Sequence, residues 1–209
     1  MITVNKHEVK QLLKRRDELL EVHYKLENGS DDKNNSSTNS IYKHSRNTIN
    51  NTLLNIDKWL LGYVEDDPVG RWLLQIKGIT PDLAAGLLAY FNIKDKECAA
   101  QFIKYSGSDN RNNPHNNNVR SIMDKIRDNF KSEPESWYGR LNEDKFIELL
   151  NNGSNMEPMT ARIRADRYMI KVFISHLFEE MYREEHCGQL PSRYYGDSVI
   201  IEPEVPYTK

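Results

Sequence analysis

Two cysteines in 209 residues leave nothing from which to build a disulfide framework. Cys98 and Cys187 have no metal-like spacing, and their neighbours read as helical and apolar, so both are expected to be buried, reduced thiols. No apolar run approaches the roughly 20 residues of a membrane span, so no membrane partner is expected. Met1 to His7 lacks the apolar stretch of a secretion signal, and a cytoplasmic location is expected. Ten glycines are too sparse for a phosphate loop or dinucleotide fingerprint. No nucleophile elbow occurs. His176, His186 and Cys187 do not share one helical face, so no metal site and no cofactor are expected. Strand signal is confined to Ser198 to Ile201. A net charge of -2 argues against a general binder of polyanions.

What remains is helix. Charged residues make up 29% and hydrophobic residues 38% of the chain, which suits a helix-rich protein with a modest core. A chain of this length buries roughly 70% of its unfolded surface. The spacing predicts an all-α fold in three parts. Residues 1–64 form a helical arm, with a first helix from about Lys6 to Glu27 and a polar linker over 28–40. In that first helix Val9, Leu12, Leu13, Leu19 and Leu20 supply the apolar stripe, with Arg15, Arg16 and Asp17 outside it. A second helix from about Ile41 to Tyr63 repeats Ile49, Leu53, Ile56 and Leu60, and the two read as an antiparallel pair.

Residues 65–190 read as a compact helical domain, and 191–209 as an extended, proline-punctuated strap. Asp95 is placed to cap a short helix carrying Ala99, Phe102 and Ile103 that ends near Gly107. Ser106 to Asn118 reads as an Asn-rich loop. Val119, Ile122, Met123, Ile126 and Phe130 form a regular core stripe beyond it. A late helix from about Pro158 to His186 packs Ile163, Met169, Val172, Phe173, His176 and Leu177.

The most informative stretch is Leu74 to Leu88. It predicts a helix over Val69 to Ile76, a turn through Gly78 and a second helix from Pro81 to Tyr90. Gly78 permits the positive φ of a compact turn. Thr80 suits the N-cap, and Pro81 the first helical position. Open amides at such a helix start favour an anion. The backbone of Gly78, Ile79 and Thr80 is thus a candidate phosphate cradle, with Lys77 as countercharge. Two features oppose this: Thr80 stands where a second glycine is usual, and Asp82 adds negative charge. The alternative is a capped αα-corner packed through Ala84, Leu87 and Leu88.

Local charge is less balanced than the total. From Lys94 to Lys131, Lys and Arg outnumber Asp and Glu eight to five. Arg164, Arg167 and Lys171 share one helical face at i, i+3 and i+7. Arg111, His115, Asn116 and Arg120 lie where phosphates or base edges could be met. Each segment has a plainer reading, as a solvated helix face and a polar connector.

The run Ile76 to Pro81 with Ala84 to Leu88, then Asn92-Ile93, resembles the C-terminal half of one insertion-sequence transposase family. Those enzymes join a RuvC-like nuclease half to a serine-bearing half that contains a helix-hairpin-helix. Tyr105-Ser106-Gly107-Ser108-Asp109 resembles that family's alanine-glycine-leucine-aspartate stretch. Asn113 to Asn116 with Val119-Arg120 resembles the basic segment that follows. The match is closer to standalone phage and prokaryotic proteins related to that half. Arg162 to His176 resembles their late helix, and Leu190-Pro191, Tyr194-Tyr195 and Ile201 to Pro203 their closing strap. The resemblance implies acidic catalytic residues and a nucleophilic serine. Only helical-arm sequence precedes Val69, and no serine follows Asp109 until Ser121, so strand transfer is not expected. Ser106 and Ser108 read as backbone-bonding loop residues.

The leading expectation is a noncatalytic, phage-borne protein that binds nucleic acid, DNA in particular, through the nucleic-acid backbone. Lys77, Gly78, Ile79, Thr80, Arg111, Asn116, Arg120, Arg164, Arg167 and Lys171 are the candidate contacts. A homodimer through the arm is a further candidate partnership. Two rival readings stand beside it. One is a protein-interaction module, such as a phage-encoded inhibitor of a host factor, using the arm or an acidic face at Glu179, Glu180, Glu184 and Glu185. The other is a degenerate recombinase.

Overall fold

The computed structural model describes residues 5–28, 36–94, 96–109, 114–151, 156–189 and 203. Among these every regular element is an α-helix: α1 (Lys6–Asn28), α2 (Ser36–Glu65), α3 (Pro68–Leu74), α4 (Pro81–Tyr90), α5 (Ala99–Ser106), α6 (Asn117–Ser132), α7 (Trp137–Asn151) and α8 (Pro158–Glu185). The all-α architecture follows from the 3.6-residue apolar period in each segment. The strap lies outside the described residues except for Pro203, and Asp95 and Arg111 lie outside them too.

α4 is the hub. Its residues from Leu83 to Ala89 are all buried, so it is apolar on every side, as a helix enclosed by neighbours must be. It lies against α1, α2, α3 and α6. Small residues make that enclosure possible: a Cβ on Gly86 would stand 2.7 Å from Ile122 Cδ1. One core runs unbroken from the base of the arm (Val9, Ile56, Leu60, Val64) through Trp72 and Leu87 to Phe130, Phe173 and Phe178.

α1 and α2 form a two-stranded antiparallel arm with a heptad seam. Val9, Leu12, Arg16, Leu19, His23 and Leu26 recur at alternating steps of three and four along α1, and none of them is exposed. Arg16 therefore lies in the seam and not outside it. Its guanidinium reaches Asp57 Oδ1 at 2.6 Å and Asp82 Oδ2 at 3.2 Å. Burial opposes its charge, but the hydrogen bond to Asp57 and the charges of Asp82 and Asp57 outweigh that and hold its pKa above the ordinary value. Leu20, expected inward, is exposed. α2 begins at Ser36, earlier than Ile41, so the helix extends into the stretch that reads as a polar linker.

α8 supports the rest of the body against α3, α5, α6 and α7. Phe130 stacks on Tyr138 at 4.6 Å, Phe173 meets both rings edge-on, and Tyr138 Oη lies 2.8 Å from His176 Nδ1. Ile163, expected in the core, is exposed. Both cysteines are exposed as well: Cys98 is the N-cap of α5, and Cys187 follows the end of α8. Their flanking apolar residues belong to the packed helices, while the thiols sit at helix ends.

Candidate nucleic-acid interface

The turn between α3 and α4 has the expected backbone. Gly78 takes φ +99, which a side chain disfavours. The turn is sealed from one side by the end of α6. A Cβ on Gly78 would lie 3.0 Å from Phe130 Cδ1, and Asn129 Nδ2 donates to the Gly78 carbonyl at 2.9 Å. Ile79 is buried, and its amide donates to Ile76 O at 3.1 Å. Thr80 has N-cap geometry, yet its hydroxyl accepts no amide and instead donates to Asp82 Oδ1 at 2.6 Å. Lys77 Nζ is 2.6 Å from Glu133 Oε2. The bend is thus framed by two carboxylates, Glu133 and Asp82, and its positive charges are already matched.

A second glycine bend closes α5. Gly107 takes φ +72 as a left-handed cap, and its amide and that of Ser108 return to Ile103 O and Lys104 O. Ser106 Oγ donates to Ile103 O at 2.8 Å and lies 2.9 Å from Ser108 Oγ. Ser106 is buried, so its hydroxyl serves the helix end. Beside this bend α5, α6 and α8 enclose a small cleft of about 60 Å³, into which Arg120, Arg127 and Arg167 all project.

The cleft is lined by acids as well as arginines: Asp109, Asp124 and Asp166 stand beside Arg120, Arg127 and Arg167, and Arg127 is also 3.0 Å from Asp128 Oδ1. Asp124 Oδ1 is 2.6 Å from Arg127, and its other oxygen is 3.9 Å from Arg120. Asp166, the single acid inside the basic stripe of α8, is turned inward, with Lys131 Nζ at 2.9 Å and Asn142 Nδ2 at 2.9 Å. Arg164 and Arg167 stand exposed on α8, with Lys171 half-buried one turn on. Among the described residues none of the three has a carboxylate within 4.0 Å. Lys104 is exposed on the neighbouring α5.

The structure therefore brings Arg120 and Arg167 together and leaves Lys77, Gly78, Ile79 and Thr80 at a different place. Asn116 is committed to the fold: its Oδ1 accepts from the amides of Asn118 and Val119, and its Nδ2 donates to Tyr105 Oη at 2.9 Å. Arg127 was missed by the sequence reading. It stands seven residues after Arg120, two turns along the same face, and that spacing was the signal. The acidic face is also corrected. Glu179 and Glu180 are buried, Glu180 completely, with Arg183 3.5 Å away, and only Glu184 and Glu185 face outward. No protein-family model matches this sequence, and no curated protein is significantly similar to it.

Proposed function

We propose that this protein binds nucleic acid without catalysing its rearrangement, and that the contact surface is the face of α8 bearing Arg164, Arg167 and Lys171 together with the Arg120–Arg127 edge of α6. The observation that carries this reading is the stripe of Arg164, Arg167 and Lys171 on α8, none with a carboxylate within 4.0 Å among the described residues, beside a cleft where Arg120, Arg127 and Arg167 meet Asp109, Asp124 and Asp166. Guanidiniums on a helix face suit phosphate oxygens, which accept in pairs. In this reading the turn at Gly78 is scaffold: it is flanked by carboxylates, while Arg164, Arg167 and Lys171 on α8 have no carboxylate within 4.0 Å among the described residues. Kinship with the C-terminal half of insertion-sequence transposases belongs to the same proposal, supported by the order of the resembling segments.

Contacts to backbone phosphate carry little sequence information, so weak sequence preference and steep salt dependence are expected. Fluorescence titration of the whole chain against labelled duplex DNA at two salt concentrations tests this. The expected affinity is micromolar or weaker at physiological salt, as for other non-specific binders at about 10⁻⁴–10⁻⁶ M. Binding that ignores salt, or that survives Arg164→Glu/Arg167→Glu unchanged, overturns the proposal.

A further inference from the structure

The arm carries a groove that α4 fills only halfway. On α1, residues 6, 10, 13, 17, 20 and 24 form a stripe beside the seam, and its inner members touch α4: Lys6 Nζ donates to Phe91 O at 3.2 Å, and Lys10 Nζ sits 4.8 Å from the centre of the Tyr90 ring. Leu13 lies against Gly86. On α2 the matching stripe runs through Val64, Leu61, Asp57 and Leu54, and it passes from fully buried at Val64 to 57% exposed at Leu54. The cover ends where α4 begins, at the Arg16–Asp82 contact. Beyond that point Leu20 and Tyr24 on α1 and Leu54 on α2 continue the same two stripes, exposed.

The walls of the open half differ. The α1 wall carries Asp17, Glu18, Glu21 and Glu27 against the single Lys25. Their ion pairs, such as Lys25–Glu21 at 2.6 Å, are mostly local and exposed, the kind worth little and readily exchanged. The α2 wall has no acid from Ser36 to Ile56 and carries Lys43 and Arg46 together with Asn47, Asn50 and Asn51. An apolar floor, an acidic wall on one side and a wall without acids on the other specify a complement.

We propose that the outer half of the arm docks a helical segment of another protein, with an apolar stripe at i, i+3, i+4 and i+7 and basic residues along one flank. This occupant continues the path of α4 and completes a three-helix bundle along the arm. A second copy of the arm fits less well. Face to face and antiparallel, the sense that keeps the two bodies apart, it sets one acidic α1 wall against another.

The probe is a synthetic 18-residue helical peptide with that leucine spacing and one lysine flank, titrated against the full chain by fluorescence anisotropy. Its counterpart keeps the leucines and carries glutamates on the flank. The lysine peptide is expected to bind at least tenfold more tightly than the glutamate peptide. Leu20→Asp/Leu54→Asp is expected to weaken the lysine peptide at least tenfold, with an unchanged helical circular dichroism spectrum. Hydrogen exchange on the unmodified protein is expected to show protection over 17–27 and 47–57. Equal affinity for the two peptides, no binding, or protection elsewhere overturns the proposal. Dimerisation of the chain alone in sedimentation, abolished by the same double variant, assigns the groove to a second copy and overturns it too.

Discussion

Gly78, in the turn between α3 and α4, and Gly107, at the end of α5, both take a positive φ and both lie near cations, yet the charges around the two bends are arranged differently. At Gly78 the neighbours close in: Phe130 and Asn129 press on the turn, Glu133 matches Lys77, and Asp82 occupies the start of the next helix. At Gly107 the ring of His115 closes in as tightly, 2.8 Å from where a Cβ would stand, but three arginines from two helices line the cleft beside the bend together with three aspartates. A turn motif therefore determines a backbone path, while the elements packed around it determine whether an anion is welcome there. Nothing in the local sequence of Gly78 announces that the end of a helix some fifty residues later will sit on it.

The strongest way to break the comparison is at Phe130, which supports the Gly78 bend and stacks within the aromatic cluster. Phe130→Ala is expected to cost about 3–5 kcal/mol in urea unfolding, as other large-to-small core changes do. Gly78→Ala acts on the bend alone. The strained φ and the contact with Phe130 are expected to cost about 2 kcal/mol, with DNA affinity per folded molecule unchanged. Loss of DNA binding in a folded Gly78→Ala protein would restore that bend as the contact site. Arg164→Glu/Arg167→Glu should leave unfolding unaffected and lower DNA affinity at least tenfold, about 1.4 kcal/mol, with a salt slope shallower by about two. The smallest effect is expected at Lys77→Glu: less than twofold in the same titration, because Glu133 already neutralises that lysine. A larger loss there would erase the distinction between the two bends.

Where the apolar period was regular, the fold was legible from the sequence. The stripe from Val119 to Phe130 gave α6, and Pro81 to Tyr90 matched α4 residue for residue. What escaped was each place where one segment depends on another. Arg16 looked like surface because its partners, Asp57 and Asp82, come from two other helices. Glu179 and Glu180 looked like an exposed acidic run because their burial is imposed by what packs on α8. Ile163 had the right spacing for the core, but the neighbouring helices do not cover it. In the candidate interface, the stripe on α8 was visible from spacing alone. Its junction with Arg120 and Arg127 required the packing of α6 against α8 beneath the end of α5.

The charge held in the seam of the arm has a mechanical consequence. A slip of α1 along α2 by one heptad would carry Arg16 about 10 Å from its two carboxylates and set Val9 or His23 against them. Only one alignment of the two helices is therefore stable, and it is clasped to the start of α4.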